Sequence, residues 1–198
     1  VLFRSGLFES VKALDEEILA APIRLRYTTS EGNNVRWKNS TPSVVEHDAQ
    51  HVVFKTLAVA PAVRAEIESS IEIDGMMRVD MTLRPGNNPA PIEQLWVEIP
   101  LKASVAELFH EFVDRSRINY AGVLPDGKGV IWDSGDASRA HAWQNTFCSY
   151  IWIGEEKRGL AWFAENDKGW VTEKGGSEKP LQDILRQDDV VTLRVFLV

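Results

Sequence analysis

Along most of this chain the apolar positions recur every second residue. Ile23-Arg24-Leu25-Arg26-Tyr27 alternates cleanly, as do Val63-Arg64-Ala65-Glu66-Ile67 and Val79-Asp80-Met81-Thr82-Leu83; Leu95-Trp96-Val97-Glu98-Ile99 does so apart from Trp96. Side chains alternate between the faces of a strand, so this pattern predicts strands with one buried face. His51–Val59 is a β-rich run closed by Pro61, and Leu181–Arg186 and Val190–Val198 flank a tight turn at Gln187-Asp188-Asp189. Between the runs lie turn residues: Glu31-Gly32-Asn33-Asn34, Pro85 to Pro89, Pro125-Asp126-Gly127 and Gly175-Gly176. Many short strands joined by turns predict an all-β antiparallel sandwich rather than βαβ units.

Two stretches carry helical signals. Ser104-Val105-Ala106-Glu107 has the form of a capping box and leads into Leu108, Phe109 and Phe112, which predicts one short helix over about Val105–Val113. Leu7, Val11, Leu14 and Ile18 also fit helical spacing, yet Ser10–Leu14 and Glu17–Leu25 fit two strands around Asp15-Glu16 equally well. Periodicity leaves that choice open.

The densest aromatic stretch is Tyr150–Trp170, which holds three of the seven tryptophans. Its runs Tyr150–Ile153 and Leu160–Ala164 flank the charged turn Gly154–Gly159, the pattern of a β-hairpin. Tyr150 and Trp152 share one face of their strand, as do Leu160 and Trp162, while Ala161, Phe163 and Glu165 take the opposite face. The indoles Trp152, Trp162 and Trp170, with Glu165, Asn166 and Asp167 nearby, have the residue types of a sugar platform: rings stack on C–H faces and carboxylates or amides bind hydroxyls. Trp132 and Asp133 in Val130-Ile131-Trp132-Asp133 repeat that pairing. The alternative is that all these rings fill the sandwich core.

The charge balance narrows the classes. The chain of 198 residues carries 29 acidic and 22 basic residues, a net charge of −7. Without clustered Lys and Arg there is no footprint for nucleic acid or an anionic membrane, and no apolar run is long enough to span a bilayer as a helix. Cys148 is the one cysteine, so no internal disulfide is open to it.

Other chemistry is thinly supported. His47 and His51 have His-x-x-x-His spacing, but in a strand–turn–strand context that does not converge the rings on a metal, and no phosphate-binding glycine motif or cofactor signature is present. Asp133-Ser134-Gly135-Asp136 lacks a nucleophile elbow and reads as a turn. Asp74, Asp133, Glu165 and Asp167 lie beside apolar strand residues and are the candidates for a paired-carboxylate site; none stands out as catalytic.

Several ordered motifs carry a family resemblance. Tyr150-Ile151-Trp152-Ile153-Gly154, Arg158-Gly159-Leu160-Ala161-Trp162-Phe163-Ala164-Glu165 and Gly169-Trp170 resemble the non-catalytic β-sandwich of bacterial proteins related to glycoside hydrolase family 123. So do Ile73–Asp80, Glu98-Ile99-Pro100-Leu101, Gly129–Ser134 and Asp189–Val195. The resemblance spans roughly residues 10–198. It implies a parent that hydrolyses terminal β-linked N-acetylgalactosamine with an adjacent Asp-Glu pair in a TIM-type barrel, the substrate's 2-acetamido group acting as nucleophile. The barrel would follow the sandwich, and Asp15-Glu16 lies in the wrong region to be that pair. The implied role here is non-catalytic: support of the barrel, which would be the partner, with glycan contact through the named aromatics; a structural domain without sugar contact is the alternative. An extracellular or periplasmic parent is implied. Val1–Ser5, VLFRS, reads as a translated sequencing adapter and is set aside, leaving residues 6–198 as one unit. The final run, apolar to Val198, reads as a sheet left open at its C-terminal edge.

Overall fold

In a computed structural model, residues 2–3, 6–30, 37–112, 119–135, 147–165 and 180–197 are described, and they form eighteen strands and no helix. One sheet has five strands in the order β14 (Gly129–Asp133), β17 (Gln182–Gln187), β18 (Val190–Phe196), β11 (Ile92–Lys102) and β5 (Arg24–Thr29). A second has four, β13 (Asn119–Val123), β12 (Leu108–Phe112), β15 (Tyr150–Gly154) and β16 (Gly159–Phe163). All their pairings are antiparallel.

The inner faces of these two sheets form the sandwich core. Leu25, Tyr27, Leu95, Ile99, Leu101, Ile184, Val191, Leu193 and Val195 from the first meet Phe109, Ile151, Ile153 and Leu160 from the second. Gln182 ties the layers together: its side chain donates to the Cys148 carbonyl at 3.1 Å and accepts from the Cys148 amide at 3.2 Å. A buried amide satisfied on both sides of its head group fixes the sheets' relative position without leaving an orphaned polar atom.

A third sheet, β6 (Lys38–Asn39), β7 (Ser43–His47), β8 (His51–Val59), β9 (Val63–Glu72) and β10 (Met77–Pro85), packs its Ala58, Val63, Ala65 and Ile67 onto the same core. At the N-terminus β1 (Leu2–Phe3) pairs with β2 (Phe8–Ser10). The Leu7–Ile18 region resolves into strands: β3 (Lys12–Ala13) and β4 (Glu16–Glu17) join through Leu14 and Asp15, both at positive φ. Glu17 anchors this hairpin by accepting from the Ser10 hydroxyl, from the Val11 amide at 2.9 Å and from the Leu19 amide at 3.0 Å.

Two expectations change. The helix over Val105–Val113 is absent over its described part: Ser104 and Val105 sit in a turn whose Val105 amide donates to the Lys102 carbonyl at 2.9 Å, and Leu108–Phe112 is β12. The capping-box residues form only that turn, because beyond it burial alternates with period two and β12 gains a strand on each side. Nor is the last strand an open edge, because β18 lies between β17 and β11 and pairs with both.

Candidate interaction face

The Tyr150–Trp170 region does form the expected hairpin, and its register decides what the tryptophans can do. Gly154 pairs with Gly159, which sets Trp152 opposite Ala161 and Trp162 opposite Ile151. Directly opposed residues share a face. Trp152 and Trp162 therefore lie on opposite faces of the sheet. Trp162 turns inward and meets the Phe147 ring edge-on at 5.9 Å. Trp152 turns outward, where its indole lies over Gly154 and Gly159: a Cβ on either glycine would collide with it.

The other predicted site residues disperse. Trp132 is 5% exposed and packs edge-on against Phe109 across the core at 5.2 Å. Asp133 accepts from the Gly135 amide at 2.9 Å, a turn bond. Asp74 does the same for the Met76 amide at 2.9 Å. Glu165 is exposed at the end of the hairpin. Trp170, Asn166 and Asp167 lie outside the described residues. His47 and His51 flank the β7–β8 turn, and His51 pairs with Glu46 at 3.2 Å and Asp48 at 3.0 Å; among the described residues no cluster of metal-ligating side chains forms.

The two outer faces of the sandwich differ in kind. Across the five-stranded sheet, Arg24, Glu98, Arg194, Asp183 and Asp133 fall in one cross-strand row. The Arg194 guanidinium binds both oxygens of Asp183, with Nε to Oδ1 at 2.7 Å, and lies over the Phe196 ring at 5.5 Å. Glu98 takes Arg26 Nε and the Trp96 indole N–H, each at 3.0 Å. Opposite charges paired across strands satisfy one another within this face, and Asp183 is buried at 2% exposure. Asp133 and Asp183 are adjacent carboxylates, but one is committed to a turn amide and the other to a guanidinium, and neither is placed to trade protons with a sugar.

The four-stranded sheet presents the reverse. By register the face of Trp152 takes in Leu108, His110 and Phe112 on β12, Asn119, Ala121 and Val123 on β13, Tyr150 on β15, and Ala161 and Phe163 on β16. Asn119, His110 and Tyr150 are the polar residue types among them, and none is charged by type at neutral pH. Val123 is 68% and Phe163 49% exposed, and His110 meets Tyr150 edge-on at 5.6 Å. A one-sided antiparallel sheet normally alternates apolar-in with polar-out. This sheet is largely apolar on both sides: Phe109, Ile151, Ile153 and Leu160 inside, with the buried Glu111 among them, and a mainly aromatic layer outside. A contiguous apolar patch of that kind marks a surface built to be covered.

Sequence parity alone assigned Tyr150 with Trp152 and Ala161 with Phe163, but not the two pairs to one surface. That step needs the register across the Gly154–Gly159 turn. The part of β12 and β13 was hidden because the capping-box signal took Leu108–Phe112 for helix.

A family model described as glycoside hydrolase 123, third domain, matches residues 2–168. No curated protein sequence matches the chain significantly.

Proposed function

Because the chain belongs to the glycoside hydrolase 123 third-domain family, we propose that it is a non-catalytic β-sandwich that packs through the outer face of its four-stranded sheet onto the catalytic barrel of the same polypeptide. The observation that carries this reading is the composition of that face. A glycan subsite needs several carboxylates, amides or hydroxyls to orient sugar hydroxyls around its aromatic floor. A protein–protein core instead concentrates aromatic and aliphatic groups and sheds charge. Trp152, Phe112, Phe163, Tyr150, Val123 and Leu108 fit the second description. The charged row on the opposite face is neutralised within itself, Arg194 binding the buried Asp183.

The test uses the full-length parent. Replacing Val123 and Phe163 together by serine removes two exposed apolar contacts and leaves the inner core untouched. One cooperative thermal transition of the parent then separates into two, and hydrolysis of aryl β-N-acetylgalactosaminides falls with the uncoupling. A parent variant that keeps one transition at an unchanged temperature refutes barrel packing through this face. Saturable binding of galactosamine-containing oligosaccharides to this chain, abolished by Trp152→Ala, would favour the glycan reading.

A further inference from the structure

The third sheet ends in β10, which pairs only with β9 among the described strands. Bonds at both ends of this pair fix which backbone groups β9 uses. The Glu72 amide donates to the Met76 carbonyl and the Gly86 amide to the Ala62 carbonyl, each at 2.9 Å. Both continue the β9–β10 register. In an antiparallel ladder hydrogen-bonded pairs alternate with non-hydrogen-bonded ones. Arg78, Asp80, Thr82 and Arg84 therefore bond to β9, while Met77, Val79, Met81 and Leu83 turn N–H and C=O to the other edge.

That edge is uncovered. Val79 is 36% and Leu83 37% exposed, and Arg78, Asp80, Thr82 and Arg84 are exposed as well. Met77, Val79, Met81 and Leu83 share the face on which Ala65 and Ile67 enter the core. Arg78 and Asp80 lie on the opposite face, with the ion pairs Lys55–Glu68 and Arg84–Glu66. Long edges are commonly blunted by proline, a bulge or an inward-pointing charge. From Met77 to Arg84 this one has none of them: the register is unbroken and Pro85 comes last. The charges it does carry at Arg78 and Asp80 are opposite in sign and bound to each other along the strand, with Nε to Oδ2 at 2.8 Å. Both side chains remain more than half exposed, at 58% and 57%.

We propose that β10 is a self-complementary edge to which a second copy of this chain adds its own β10 antiparallel, about a two-fold axis at Val79. Charge selects that register. An axis at Val79 sets Val79 against Val79 and Met77 against Met81, through the outward N–H and C=O groups. Arg78 then stands opposite Asp80 of the second copy, and Asp80 opposite its Arg78, in the non-hydrogen-bonded positions where side chains approach most closely. The two strand-wise ion pairs thereby join into one square of alternating charge. An axis at Arg78 or Asp80 opposes like charges, and one at Met81 opposes Arg78 and Arg84. An axis at Thr82 sets Val79 against Pro85, which has no N–H to give. The pairing consumes the edge, so assembly stops at two copies. It is independent of barrel packing, which uses the four-stranded sheet.

Sedimentation equilibrium of the full chain, from micromolar to submillimolar concentration, tests this together with amide hydrogen exchange. A monomer–dimer equilibrium is expected, with the Met77, Val79 and Met81 amides slowing as the dimer forms. Val79→Pro removes an N–H that β9 does not use, and leaves a folded monomer. Asp80→Arg opposes cations at two symmetric places and weakens the dimer about tenfold. Combining it with Arg78→Asp restores the alternation, and with it the dimer. The idea is overturned if the chain stays monomeric throughout, or if Val79→Pro dimerises like the unchanged chain. Assembly beyond two copies also overturns it, as does a double variant that dimerises no better than Asp80→Arg alone.

Discussion

Replacing Trp132 by alanine is the sharpest test of the core assignment for a residue that sequence marked as a sugar contact. Trp132 is 5% exposed, sits opposite Ile184 in its own sheet and meets Phe109 of the facing sheet at 5.2 Å. Removing an indole from a packed core forfeits transfer free energy and leaves a cavity, together about 3–5 kcal/mol. The edge-to-face pair adds about 0.5–1.5 kcal/mol beyond area. A loss of about 5 kcal/mol follows, against a total of roughly 5–15 kcal/mol for a typical domain. With a urea slope of about 2 kcal/mol per molar, the midpoint moves down by about 2.5 M. Equilibrium urea unfolding followed by far-UV circular dichroism measures this directly. A midpoint within about 0.5 M of the parent chain would mean the indole contributes no core packing, and the reasoning from burial would be wrong.

Other outcomes follow from the same contacts. Gly159→Ala drives a Cβ into both the Ile153 carbonyl and the Trp152 indole and costs about 1–3 kcal/mol of overpacking, read as a lower urea midpoint with a red shift in tryptophan emission as the indole is displaced. Burial would raise the Glu17 carboxyl pKa, but the Ser10 hydroxyl and the Val11 and Leu19 amides outweigh it and hold the pKa below its ordinary value of 4.5. The folded chain therefore binds that proton less readily than the unfolded one. Glu17 contributes stability above pH 4.5 that is lost as pH falls through the depressed value, and Glu17→Gln flattens this acid limb in thermal melts. The Cys148 thiol is fully buried beside Glu111, and desolvation, then the Glu111 charge, push its pKa well above the usual thiol range. Iodoacetamide at pH 8 leaves it unmodified in the native chain and labels it in denaturant, as mass spectrometry shows.

The strands were legible where alternation marks a buried face, as in Val63–Ile67; His51–Val59 and Val79–Leu83 also lie in strands at the expected places, although Val79 and Leu83 are exposed. β12 was misread because Ser104 and Glu107 have helix-start spacing, and a four-residue motif cannot report that two strands wait on either side of the next five residues. The candidate surface was half legible. Parity along each strand assigned Tyr150 with Trp152 and Ala161 with Phe163, but the pairing of Gly154 with Gly159 decided that these pairs share a surface while Trp162 does not. The charged row of Arg24, Glu98, Arg194, Asp183 and Asp133 was invisible in sequence, since its members come from five strands distant along the chain and only the sheet order aligns them.

The central claim is that the outer face of the four-stranded sheet is covered by the catalytic barrel of the parent protein. Hydroxyl-radical footprinting of Val123, Tyr150, Trp152 and Phe163, in this chain and in the full-length parent, tests it most directly. The account predicts strong labelling of Val123 and Phe163 in the chain alone and loss of that labelling in the parent, with the exposed charges of Arg24 and Lys55 equally accessible in both. Equal labelling of Val123 and Phe163 in the two proteins would contradict it.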